Sequence, residues 1–226
     1  MAKGSLDKRG KLIVIDGSDG VGKATQTKLL IERLKKEKIP VETMSFPAYE
    51  ENFFGKLIRE SLDGLHGDFI GLDPHIASTL YAADRFESKA KIERWLAQGK
   101  IVVLDRYVSA NQLHQGGKIR DDKKRKVFLE WLDIMEHKVF AIPRPDLVVY
   151  LHLPTELSLK LIDQRGKKDL AEKNVAYLTH AKESALKIIK NTNHWVKIDC
   201  SKKDTILPRE VIHEKVYAAT GNIIGV

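Results

Sequence analysis

Apolar residues fall along the chain in two rhythms. Short, nearly continuous β-branched and aliphatic runs, bounded by polar or turn residues, predict buried strands at Leu12–Asp16, Val41–Phe46, Ile101–Asp105, Leu147–Leu153 and Trp195–Asp199. Runs without strict alternation suit parallel strands covered on both faces. Between them, apolar residues return at helical spacing. This predicts helices over Thr25–Lys36, Phe54–Leu62, Pro74–Leu96, Lys123–Met135, Glu156–Asp163, Glu172–Ile189 and Pro208–Ala218. Strand alternating with helix predicts an α/β fold of three layers around a five-stranded, mainly parallel sheet. No internal repeat, low-complexity tract or Pro/Gly/Ser-rich linker divides the chain. One domain is expected over residues 11–220, behind a flexible tail at 1–10.

Composition narrows the class. The 226 residues are 42 % hydrophobic and 31 % charged, a globular rather than a disordered balance. The 39 Lys and Arg exceed the 31 Asp and Glu, giving a formal charge of +8. That excess fits a solvated surface, or an anionic partner such as nucleic acid or a phosphate-bearing small molecule. The single cysteine, Cys200, excludes an intrachain disulfide framework and a Cys-cluster metal site, and suits a reducing compartment. The first ten residues hold no apolar h-region, and no aliphatic run approaches the ~20 residues that span a bilayer. A cytoplasmic protein without membrane attachment is expected. The basic runs, such as Lys35-Lys36-Glu37-Lys38, lack the interleaved aromatics of a nucleic-acid groove, so no nucleic-acid partner is expected.

The chemistry begins directly after the first strand, at Gly17-Ser18-Asp19-Gly20-Val21-Gly22-Lys23-Ala24-Thr25-Gln26. The spacing from Gly17 to Gly22-Lys23 matches G-x-x-x-x-G-K-[ST], in the required context of strand before and helix after. Glycines let successive backbone N–H groups converge on one concavity, and the helix adds its unpaired N–H groups and positive dipole end. The motif predicts a P-loop NTPase fold whose Gly17 to Thr25 cradle a nucleotide's phosphates, with Lys23 on the β- and γ-phosphates. Ala24 departs from the template, because a methyl group cannot ligate Mg²⁺. Thr25 lies roughly 100° further round the helix. Either carboxylates and water hold the metal, or its site is weakened.

A second constellation closes the third strand: Asp105-Arg106-Tyr107-Val108-Ser109-Ala110-Asn111. Asp105 stands at a strand's carboxyl end, where open α/β sheets bind ligands, and can support Mg²⁺ directly or through water. Arg106 offers a guanidinium fork suited to phosphate. With the phosphate loop, this stretch joins Phe46-Pro47-Ala48-Tyr49 and Leu80-Tyr81-Ala82-Ala83-Asp84-Arg85. In that order, the four stretches make the chain resemble the thymidylate kinase family from about residue 11 to 200.

The resemblance implies ATP- and Mg²⁺-dependent phosphorylation of dTMP to dTDP, by a homodimer. It places Asp19 near the acceptor sugar and the metal, and Arg106 on the acceptor phosphate. Tyr81 matches an aromatic that stacks on thymine, Arg85 an arginine on the base, and Asn111 a polar contact to the base edge. Tyr49 matches a tyrosine near the acceptor sugar and phosphate, and Phe46 opens a Phe-Pro step that is cis in the family. Tyr81 and Arg85, four apart on a predicted helix, share one face. His114 falls where some relatives carry an aromatic against the sugar; it is read either as such a contact or as a helical surface histidine. The family's lid falls near 164–173, at Gln164-Arg165-Gly166-Lys167-Lys168-Asp169. The phosphate loop has no arginine, so Arg165, supported by Lys167 and Lys168, is expected to close over the migrating phosphoryl group. The competing readings are another nucleotide or deoxynucleoside kinase of this fold, a weakened nucleotide-binding protein, and a nucleic-acid-associated P-loop ATPase.

Overall fold

The structure is a computed structural model that describes residues 9–166 and 169–225. In chain order its elements begin with β1 (Leu12–Gly17), α1 (Lys23–Lys36), β2 (Val41–Ser45), α2 (Phe53–Leu62), α3 (Pro74–Glu87), α4 (Lys89–Ala97) and β3 (Ile101–Asp105). Next come α5 (Val108–Lys118), α6 (Asp122–Ile134), β4 (Leu147–His152), α7 (Thr155–Arg165), α8 (Leu170–Lys173) and α9 (Val175–Lys190). The chain ends with β5 (Trp195–Asp199), the short β6 (Ser201–Lys202) and β7 (Thr205–Ile206), and α10 (Arg209–Ile224). A single π-helical turn, Met135–Val139, follows α6.

The five long strands form one parallel sheet in the order β2-β3-β1-β4-β5. Each strand feeds both faces. From β1, Leu12 and Val14 enter the core shared with Ile92, Trp95, Leu113 and Ala185. Ile13 and Ile15 enter the opposite core, with Leu30, Leu34, Ile212 and Val216. Period-two alternation between two apolar layers explains why the strands read as unbroken apolar runs. Helices α1 and α10 cover one face; α4, α5 and α9 cover the other.

The strands lie where the apolar runs put them, within a residue at either end. The last helix, α10, runs on to Ile224, past its expected end at Ala218, and the helices differ further in three places. The stretch 74–96 is two helices, parted at Ser88, which is buried and accepts a 2.9 Å hydrogen bond from Asn52 Nδ2. The stretch 172–189 is also interrupted, because Asn174 leaves helical geometry to cap α9 on the Tyr177 N–H. Helix α5 has no counterpart in the apolar pattern, which Ser109, Asn111, His114, Gln115, Gly116 and Gly117 break up. Its glycines are instead what allow it to pack against α9. A Cβ on Gly117 would stand 2.8 Å from Ala181 N and from His180 C.

That close approach gives a test of the layer behind the site. Gly117→Ala forces α9 backbone away from α5. It should lower the unfolding free energy by about 1–3 kcal/mol, the usual cost of overpacking a tight contact, read from urea denaturation midpoints.

Candidate active site

The phosphate loop is built where β1 stops. Gly17 (φ 153°) passes so close to the Leu151 carbonyl that a side chain would collide with it. Gly22 (φ 89°) turns the chain into α1 in a left-handed conformation. Both positions need glycine for those reasons. From α7, Ser158 Oγ donates to the Asp19 carbonyl and steadies the loop from below. Lys23 Nζ curls into the loop, donating to the carbonyls of Gly17 (3.1 Å) and Ser18 (3.0 Å) and to Asp19 Oδ1 (3.4 Å). Burial, and after it the Arg106 charge, lower the Lys23 ammonium below its ordinary range, against the pull of Asp19, Asp16 and Asp105.

Beside it, β3 delivers the second constellation. Arg106 (φ 64°) adopts a left-handed backbone that most side chains avoid, with its N–H held by the Ile15 carbonyl at 3.0 Å. This turns its guanidinium back over the phosphate loop. Nη2 pairs with Asp19 Oδ1, and Nη1 lies 3.9 Å from Asp16 Oδ1 and 3.1 Å from His114 Nε2. Burial works to raise the Asp19 carboxyl, but Arg106, Lys23 and His114 together hold it well below the usual carboxylate range. Asp16, which sequence reasoning treated as a strand end, is fully buried beneath this pair. It accepts from the Gly17 N–H (2.8 Å) and from Ser109 Oγ (2.6 Å), so it ties the start of the loop to the start of α5.

His114 faces the site and not the surface. Arg106 can only donate, so Nε2 accepts and the ring proton sits on Nδ1. The ring stacks on Tyr177 from α9 with centroids 5.4 Å apart. Burial pushes its pKa down to about 4, with Asp19 opposing and Arg106 reinforcing.

Arg106 also borders a cleft whose walls include Phe46, Tyr81, Arg85, Asn111 and His114. The expected base contacts Tyr81, Arg85 and Asn111 therefore meet in one cavity. Tyr81 packs on Phe69 with ring centroids 5.9 Å apart. Tyr49 stands on the near wall under the Arg59 guanidinium, 3.8 Å from the ring centroid. Phe46-Pro47 is a cis peptide, and the loop after it hangs on Asp84, which accepts from the Ala48 N–H (3.1 Å) and Asn52 Nδ2 (2.8 Å). Arg85 is buried and held by Glu136 of the π-helical turn: Nε donates to Oε2 at 2.9 Å, and Nη2 donates to Oε1. Asn111 Nδ2 donates to the same Glu136 Oε1 at 2.9 Å. Neither Glu136 nor Asp84 was marked by the sequence as part of the site.

A second cleft opens beside the first and is lined by Lys23, Ala24, Thr25 and Asp105, with Asp19 and Arg106 common to both. Ala24 and Thr25 are both exposed there. Burial raises the Asp105 carboxyl, and Lys23 and Arg106 oppose the shift. Among the described residues no group of three or more His, Cys, Asp or Glu side chains could enclose a metal ion. Asp105 and Asp19 suit Mg²⁺ bound mainly through phosphate oxygens and water. Arg165 ends α7, but its side chain, like Lys167 and Lys168, lies outside the described residues.

The depressed histidine carries a pH consequence. Between about 6.5 and about 4 the unfolded chain binds a proton at His114 that the folded chain does not, so acidification through this window costs stability. Asp19 adds to the loss only below its ordinary carboxylate range. His114 ring signals should titrate with a midpoint near 4 by NMR. His114→Asn should flatten the fall of the urea midpoint between pH 6.5 and 4.

The family model described as Thymidylate kinase matches residues 15–211. A protein named "Probable thymidylate kinase" from Thermococcus onnurineus is 37 % identical over 181 residues, covering 78 % of this chain and 82 % of that one. Another of that name from Thermococcus kodakarensis is 31 % identical over 218 residues, covering 94 % and 98 %. The "Thymidylate kinase" of Mycobacterium tuberculosis is 29 % identical over 158 residues, covering 70 % and 73 %. The match spans the phosphate loop, the Asp105-Arg106 turn and both clefts, and the chain belongs to the thymidylate kinase family.

Proposed function

We infer that the protein transfers the γ-phosphoryl group of ATP to dTMP, forming dTDP and ADP. The observation that carries this reading is the meeting of the two clefts at Asp19 and Arg106. The phosphate-loop cleft suits ATP, bound by Gly17 to Thr25 with Lys23 on the β- and γ-phosphates. The other cleft suits a nucleoside monophosphate whose phosphate sits on Arg106. Its base lies against Tyr81, within reach of Arg85 and Asn111, and Phe46 and Tyr49 border the sugar. Donor and acceptor phosphates then face one another across the shared residues.

The acceptor is already an anion, so no strong general base is required. Catalysis is positioning and neutralisation of charge. Lys23 and Arg106 supply two fixed cations at the meeting point, and Asp19 keeps both aimed there. Bound Mg²⁺, supported by Asp19 and Asp105, would offset charge on the β- and γ-oxygens. Arg165, supported by Lys167 and Lys168, supplies the remaining cation from a lid about 164–173, and closure over the site excludes water. The domain reading over 11–220, a homodimer, a cytoplasmic location and the absence of a nucleic-acid partner belong to the same proposal. The +8 charge fits it, because two polyanionic nucleotides in one site are partner enough. No helix among the described residues is long and apolar enough to cross a membrane.

A screen of nucleoside monophosphates with ATP and Mg²⁺, read as coupled ADP formation, tests the reading. dTMP should be the best acceptor. Absence of dTMP-dependent turnover, or clear preference for another base, overturns it. Lys23→Ala and Arg106→Ala should each lower kcat/KM for dTMP by roughly 10²–10⁴, the scale of losing a cation aimed at a transferring phosphoryl group. Near-normal turnover in either variant removes that residue from the mechanism.

A further inference from the structure

Glu136 is fully buried behind Arg85 and Asn111 of the acceptor cleft, and it arrives there by an irregularity of the backbone. Helix α6 widens into a π-helical turn in which the Phe140 N–H donates to the Met135 carbonyl at 3.0 Å. The Ile142 N–H then closes on the Glu136 carbonyl at 2.9 Å. Extra residues of this kind re-aim side chains and recur at functional sites. Here the carboxylate ends between two side chains that come from different helices, Arg85 of α3 and Asn111 of α5.

The hydrogen-bond inventory fixes how those two side chains present themselves. Asn111 Nδ2 donates to Glu136 Oε1 at 2.9 Å and to the Ser78 carbonyl at 3.1 Å. Both neighbours are pure acceptors, so the amide nitrogen must face them. The amide oxygen is the end left over, and Asn111 lines the cleft. Arg85 spends Nε and one Nη2 proton on Glu136 and one Nη1 proton on the Tyr107 carbonyl (3.3 Å), which leaves N–H donors only. The far wall therefore offers an acceptor from Asn111 and donors from Arg85. A 4-oxo pyrimidine shows the complement, an N3–H donor and an O4 acceptor. A 4-amino pyrimidine shows the reverse at both atoms, placing donor against donor and acceptor against acceptor.

We propose that Glu136 is a positioning residue that sets the hydrogen-bonding polarity of the base site, and through it the preference for a 4-oxo over a 4-amino pyrimidine nucleotide. It need not touch the nucleotide. It orients the amide of Asn111 and anchors the guanidinium of Arg85 with a single carboxylate. The proposal rests on the acceptor cleft being a pyrimidine nucleotide site, as inferred above. It does not concern the 5-methyl group.

The test is steady-state kinetics of the full chain with dTMP and dCMP as acceptors, for the wild type, Glu136→Gln and Glu136→Asp. In Glu136→Gln one of the two acceptor oxygens becomes a donor, so Arg85 and Asn111 can no longer both be held and only the Ser78 carbonyl still orients the Asn111 amide. KM for dTMP should rise about tenfold or more, the dTMP-to-dCMP ratio of kcat/KM should fall about tenfold or more, and KM for ATP should hold. Glu136→Asp keeps the charge but is one methylene too short to serve both partners, so the ratio should fall by about threefold or more. Folding is checked by thermal denaturation, and if Glu136→Gln does not fold, Glu136→Asp decides. A folded variant with wild-type selectivity overturns the proposal. So does an equal loss for both acceptors and for ATP, which would mark a merely structural role. A wild type that does not use dTMP would instead overturn the functional reading on which the proposal rests.

Discussion

Parallel pairing of β1 with β3 puts Ile15 opposite Asp105, so the two strands run out together at the same edge of the sheet. The segments that leave them, Gly17 to Lys23 and Arg106 to Asn111, have no choice but to meet. One brings backbone N–H groups and Lys23, the other a guanidinium, and Asp19 lies between the two cations. β4 on the other side of β1 completes the floor, with Leu151 beside Gly17. Had β3 been placed elsewhere in the sheet, the same residues would be strangers.

The arrangement concentrates charge where water is scarce. Asp16, Asp19, Lys23, Arg85 and Glu136 are all buried. Removing one partner from such a group is expensive, because the other is left charged in a poor solvent for charge. The chain meets this by organising the charges into two paired clusters. One surrounds Asp19; the other surrounds Glu136. They are joined by the short stretch from Asp105 to Asn111, since Tyr107 offers its carbonyl to Arg85 directly after Arg106 has turned toward Asp19. The Arg106 end and the Arg85 end of the cleft are thus held by one piece of backbone, which also packs through the Tyr107 ring against Phe46 at 5.7 Å.

What the sequence revealed follows from what is local. The strands were legible because both faces of the sheet are covered and apolar residues run together. The phosphate loop was legible because glycine spacing and a lysine are imposed by backbone geometry within a few residues. Helix α5 was not, because it is held by tight packing on α9 and by buried polar contacts, and neither leaves an apolar stripe. Glu136 was not, because in Trp131-Leu132-Asp133-Ile134-Met135-Glu136-His137-Lys138 it falls just past the expected helix end at Met135, among other charged and polar residues. Only the widened turn, and partners 51 and 25 residues away, bring it inside. Asp84 escaped for the same reason, since its partners lie 36 and 32 residues earlier.

The left-handed backbone of Arg106 sets two demands against each other at one position. Glycine would adopt φ 64° without penalty, whereas any larger residue stores on the order of 1–2 kcal/mol there. Glycine would relax the backbone but leave the buried Asp19 without its guanidinium partner, and breaking such a pair costs more than the strain. The turn is therefore a place where a strained backbone is the stabler choice, because the charge it aims is already committed to the interior.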